Sequence, residues 1–364
     1  LMQVMRPYIP GTDSDGEAFV IPTKDDRQLD DIIEDGDVLA LGRLLREKPE
    51  LLSALFTVEY EGADGSPVET RSSTPLILAA GEERGGCLDL LVELGAPLEA
   101  RNLHQWTALV EAAHIGSRDC VERLLDHGSD IEVRTSDNRT PLMEASRVNS
   151  ADAVDALLDR GADANANDGA EHGGSSSLHH AAEANACEAI IALLGSDANV
   201  DARDAEGRTP LVRAVISGAV DAVNTLAAAG ASLSVAGNDG RTVLHHAAMS
   251  DARHASLVAL LGMSGALLDA ADLSGATPLM EAAAANSPKC AAAFIAAGVA
   301  LEASDAMGNT ALIFGARENA TECIAVLLAH GANIEATTNA GWTASIAAGH
   351  HKSNEALLVL ANHR

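Results

Sequence analysis

Aromatic side chains are almost missing from this chain. Its 364 residues include two Trp, two Tyr and four Phe, an aromatic share of 2%, although 47% of the residues are apolar. The apolar mass is mostly Ala and Leu, which suits helices packed closely face to face. It excludes a β-sandwich, which draws on β-branched and aromatic residues. No run of about 18 apolar residues occurs, so no membrane-spanning helix is encoded. Basic residues are also scarce, 24 against 53 acidic, for a formal net charge of −29. Such a surface repels phosphate backbones and anionic headgroups, which excludes nucleic acid and membrane surfaces as partners and leaves a basic protein surface.

Reactive chemistry is equally thin. The five cysteines form an odd set without CxxC or zinc-type spacing, as expected in a reducing, cytoplasmic compartment. There is no Gly-x-Ser-x-Gly elbow, P-loop or paired catalytic motif, so neither an enzyme nor a bound cofactor is expected. No histidine pair at helical spacing faces a third ligand, so no metal site is expected either. The first residue is Leu1, as expected of a trimmed chain.

What is present is periodicity. A Thr-Pro-Leu phrase or a close relative begins at Thr74, Thr107, Thr140, Ser176, Thr209, Thr242, Thr277, Thr310 and Thr343, in steps of 33, 33, 36, 33, 33, 35, 33 and 33. Thr is a good N-cap, and Pro at the first helical position gives up an N–H that has no intrahelical partner. A short Ala-rich helix follows, then a second helix with paired leucines such as Leu124-Leu125 and Leu327-Leu328. Gly95, Gly128, Gly161, Gly230, Gly265, Gly298 and Gly331, with Asp197 in the fourth unit, are placed to end that helix in the left-handed conformation.

Turn, helix, helix and glycine, with T-P-L-H-x-A-A and G-A-x-x-N/E-A at this step, resemble the ankyrin-repeat family. The resemblance covers roughly residues 27 to 364. It implies an all-α solenoid of helix-turn-helix units with β-hairpin finger loops, stacked into a curved right-handed rod about 100 Å long. The expected organisation is an extended arm over 1–25, an N-terminal capping repeat with a long hairpin finger over 26–73, eight repeats over 74–342 and a C-terminal capping repeat over 343–364. The long finger is read from Thr57–Tyr60 and Pro67–Thr70 around a polar centre. The loop from Asn167 to Ser175 carries three extra residues, and the unit starting at Thr242 carries two.

By the same resemblance, partner contacts belong to the inner-helix row and the fingertips. Four residues after each Thr lie Glu111, Glu144, His180, Arg213, His246, Glu281 and Phe314, expected to look into the concave groove. His180, Arg213 and His246 form a basic centre between acidic flanks, and the two histidines are expected to titrate near neutrality. At the fingertips, Trp106, Arg139, Arg208, Arg241 and Trp342 precede the capping position, and Trp and Arg are residue types enriched in interface hot spots. His179 and His245 occupy the family's structural histidine position, and the cysteines read as small buried hydrophobes. The expected function is a scaffold or adaptor, monomeric by itself, that binds a partner with a basic surface or segment. Two alternatives stand beside it: a regulatory or targeting module of a larger enzyme or channel, and a small-ligand binder using the groove histidines.

Overall fold

The computed structural model describes residues 24–53, 55–60, 69–263 and 267–363. The expected arm falls outside them except for Lys24 and Asp25, which begin a helix. The tip of the long finger and Gly265 also lie outside the described residues.

The chain divides into two compact units, one ending at Asp168 and the other beginning at Gly169. That division falls inside the loop with three extra residues. The first unit holds four helix pairs: Lys24–Asp35 with Val38–Glu47, Pro75–Gly81 with Gly85–Glu93, Ala108–Ile115 with Arg118–Asp126, and Pro141–Arg147 with Ala151–Asp159. The second holds six: Ser177–Glu183 with Cys187–Gly195, Pro210–Ser217 with Val220–Ala228, Val243–Ala248 with His254–Leu261, Pro278–Ala284 with Pro288–Ala296, Ala311–Arg317 with Thr321–Ala329, and Ala344–His351 with Asn354–Asn362. Within each unit, inner helices pack on the next inner helix and outer helices on the next outer helix.

Local chemistry sets these boundaries. Thr74 Oγ1 accepts from the Ile77 N–H at 3.3 Å, and Thr140 and Thr209 cap their helices in the same way. At the other end, Gly95, Gly128, Gly161, Gly230, Gly298 and Gly331 adopt φ between 87° and 96°, and Asp197 takes φ 60° in their place. Most outer helices bury a leucine completely, including Leu91, Leu124, Leu157, Leu193, Leu226 and Leu327, while Pro288–Ala296 buries Phe294 instead. Each such side chain stabilises the fold by roughly 1.5–3 kcal/mol. Four cysteines are buried with them, Cys187 is half-buried, and all five are free.

The long finger is a real hairpin. Strands β1 (Phe56–Tyr60) and β2 (Glu69–Ser73) pair antiparallel with Phe56 opposite Ser73. Among the described residues the other fingers are tight turns rather than strands, with one isolated bridge between Ser304 and Thr310. The reason is visible at Asp204, whose Oδ1 accepts the N–H groups of both Glu206 and Arg208 and closes the turn on itself. Asp272 and Asp305 do the same in later fingers.

Candidate functional site

Repeats of this length are held together by polar side chains at fixed register. His179 Nδ1 accepts from the Ser176 N–H at 3.2 Å, while Nε2 lies 3.0 Å from the Arg208 carbonyl of the next repeat. A backbone N–H only donates and a carbonyl only accepts, so the proton is fixed on Nε2. His245 repeats this between Thr242 and Ala276. Burial pushes His179 down to about 4. Asn185, Asn286 and Asn319, each at positive φ, accept from N–H groups at the start of the following outer helix, those of Ala222, Cys323 and Ala356. The Glu of G-A-x-x-E-A has the same kind of task, with Glu99 and Glu132 accepting from Asp130 and Asp163 N–H.

The inner-helix residues of the first unit differ from expectation. Glu144 is 1% exposed and does not project into a groove. Its carboxylate meets Arg139 Nη1 at 3.0 Å, Arg147 Nη2 at 3.0 Å and His114 Nδ1 at 3.5 Å. Burial by itself would raise its pKa, yet hydrogen bonds from His114 and Arg139 and the charge of Arg147 together hold it down to about 2. Arg139 is thereby a fastener for Glu144, with Asp137 as a further partner at 3.3 Å. Glu111 is half-buried, its Oε1 3.3 Å from where a Cβ on Gly81 would stand. Trp106 is half-buried edge-on to His114, ring centroids 4.9 Å apart.

In the second unit a buried carboxylate again gathers the arginines. Asp204 Oδ2 accepts from Arg208 Nε at 2.9 Å and Arg213 Nε at 3.0 Å. Burial opposes its charge, but bonds from Arg208 and the Arg213 charge win and lower its pKa. Arg213 also reaches Ser175 Oγ at 3.2 Å, so it is a bonded strut rather than an open groove charge. Arg241 Nη2 is 2.5 Å from Glu281 Oε1, with Asp272 and Asp239 at 3.7 and 3.8 Å. The two histidines expected to flank Arg213 are both half-buried. Burial pushes His246 down to about 4, so it stays neutral near pH 7, against the expectation of a switch there. Phe314 packs under Arg317, and Trp342 lies beside His350 with centroids 4.7 Å apart.

The exposed variation lies at the turn centres, which the sequence reading passed over in favour of the residue before each cap. Glu206, Asp239, Leu273 and Met307 occupy these tips and are all exposed. Backbone bonds lock successive tips together: Asn238 N–H to Glu206 O at 2.9 Å, Leu273 to Asp239 at 3.1 Å, Ala306 to Ser274 at 3.3 Å and Asn339 to Met307 at 2.9 Å. The signal was available, because the two residues before the turn glycine differ from repeat to repeat, from Ala205-Glu206 to Asn238-Asp239, Leu273-Ser274 and Ala306-Met307.

The family model for ankyrin repeats matches residues 44–135, 76–168, 178–272, 252–338 and 279–364. The chain belongs to the ankyrin-repeat family. Among solved structures, this ankyrin chain is similar to the ankyrin-repeat domain of Bcl-3, described as a unique member of the IkappaB protein family. The identity is 30% and the TM-score 0.50, over 60% of this chain and 92% of that one. No curated protein sequence matches it. Ankyrin repeats are protein-interaction modules. No helix among the described residues is long and apolar enough to cross a membrane.

Proposed function

We propose that this chain is a scaffold or adaptor that binds a partner protein through its inner-helix face and fingertips. The observation that carries this reading is the division of labour among its polar residues. His179, His245, Glu144 and Asp204 are consumed in holding repeats, while the tips between them are exposed, varied and pinned by backbone bonds. A rigid frame that presents differing side chains loses little entropy when a partner docks. The −29 charge supports a partner with a basic surface, met in the cytoplasm by a monomer without catalytic activity. A ligand site built on the groove histidines has little support, since His246 is held neutral and half-buried.

Cross-linking of the full chain to captured partners, followed by mass spectrometry, tests the reading. Cross-links concentrated on inner helices and fingertips are expected, with affinity falling as salt rises. Absence of any specific protein partner would overturn the scaffold role, and salt-independent affinity would overturn the basic partner.

A further inference from the structure

The second unit carries a polar cleft and an apolar pair on one continuous row of tips. Ala205, Glu206, Arg208, Asn238, Asp239 and His246 line a cleft of about 300 Å³. Arg208 is occupied by Asp204 and Glu206. On the other side, three carboxylates, Asp239, Asp272 and Glu281, share the single guanidinium of Arg241. Asp239, which lines the cleft, is the exposed member of that carboxylate group.

The next two tips change character. Leu273 is 80% exposed and Met307 68%, and the backbone bonds already described fix both in the same row as Asp239. Their side chains make no contribution to the core, and water gains nothing from them. Isolated exposed apolar side chains are ordinary, but Leu273 and Met307 at consecutive tips beside a polar cleft form a patterned surface.

We infer that this row docks an extended protein segment bearing one basic side chain for the cleft and two apolar side chains for Leu273 and Met307. Repeats are spaced by roughly 10 Å, the usual distance between packed helices. The row is unevenly spaced, because the Leu273 N–H bonds the Asp239 carbonyl directly at 3.1 Å while Met307 lies one repeat farther on. An extended chain, advancing about 3.3 Å per residue, therefore meets Leu273 about two residues from the basic group and Met307 beyond it, read in either direction. The basic group meets the exposed Asp239, which shares Arg241 with Asp272 and Glu281, and the apolar pair covers the two tips. The inference rests on the scaffold reading and specifies the partner for this stretch of it.

Selection of a random peptide library on the immobilised full chain tests the pattern. Enriched peptides are expected to carry Lys or Arg with one apolar residue about two positions away and a second farther on in the same direction. For a labelled peptide of that kind, the double change Leu273→Ser with Met307→Ser should weaken binding by about tenfold or more, and Asp239→Asn several-fold. Leu273→Met with Met307→Leu should retain binding, and circular dichroism should show every variant folded. No enrichment, enrichment without the pattern, or unchanged affinity in the serine pair would overturn the inference. A cross-linked partner still held normally by the serine pair would overturn this surface alone and leave the scaffold role standing.

Discussion

Seam and fingertip positions of these repeats obey opposite rules although they lie a few residues apart. At the seam, polar atoms meet set partners at a set register: His179 Nε2 the Arg208 carbonyl, Asn185 Oδ1 the Ala222 N–H, Glu99 Oε1 the Asp130 N–H. At the tip, the backbone is fixed by bonds between neighbouring turns, and the side chains of Glu206, Asp239, Leu273 and Met307 are exposed, Glu206 and Asp239 bonding only within their own turn. A buried polar atom left without its bond costs about 1–3 kcal/mol, whereas an exposed side chain is nearly free to change. The seam is therefore where the fold is stored, and the tips are where a partner can be specified without touching it.

The sharpest way to break the seam is through its apolar layer. Leu124 is fully buried, and Leu124→Ala should lower the unfolding free energy by about 2–5 kcal/mol in urea denaturation, leaving a cavity that neighbouring units cannot fill. Next comes the carboxylate that joins Arg139, Arg147 and His114. Glu144→Gln should cost about 3 kcal/mol, because it strands partners arranged for a negative charge. Its pKa falls from 4.5 in the unfolded chain to about 2 in the fold. Glu144 thus contributes stability that is complete above pH 4.5 and is lost as pH falls towards 2, and the variant should lack that acid-limb slope.

The sequence displayed the seam almost entirely. Period, caps, glycines, the structural histidines and the long hairpin all follow from residue types at a repeating step, since each has a local physical cause. The site was less legible. Glu144 and Glu281 have the same register and the same Met-Glu-Ala context, yet Glu144 is enclosed by two arginines and a histidine while Glu281 pairs with Arg241 and stays partly exposed. Which arginine reaches which acid does not follow from separation: Arg139 and Arg147 lie 5 and 3 residues from Glu144, whereas Arg241 and Glu281 are 40 apart. Arg213 was read as an open charge because its acceptor Asp204, nine residues earlier in the preceding turn, is buried only by the fold.

A smaller effect distinguishes the histidines. His179→Leu should cost about 1–2 kcal/mol by removing bonds to the Ser176 N–H and the Arg208 carbonyl. The unfolded histidine takes up its proton near 6.5, and folded His179 and His246 only near 4. Between those values the unfolded chain binds more protons, so stability is full above pH 6.5 and declines as pH falls towards 4. Denaturation midpoints measured across that window should fall less steeply for His179→Leu than for the native chain. An identical slope would place the proton uptake elsewhere.

The smallest effect is expected at the tips, and it is the one that separates the two regions. Leu273→Ser and Met307→Ser remove apolar side chains that are 80% and 68% exposed, so each should change stability by less than about 0.5 kcal/mol. The neighbouring Gly240 cannot be treated so freely. Its φ is 82°, and an added Cβ would stand 2.7 Å from the Leu273 N–H nitrogen that bonds the Asp239 carbonyl. Gly240→Ala should therefore lower the melting temperature clearly while leaving the composition of the tip row intact. Thermal unfolding of these three variants weighs side chain against backbone at the same tip. If the serine changes destabilise as much as Gly240→Ala, Leu273 and Met307 belong to the seam after all.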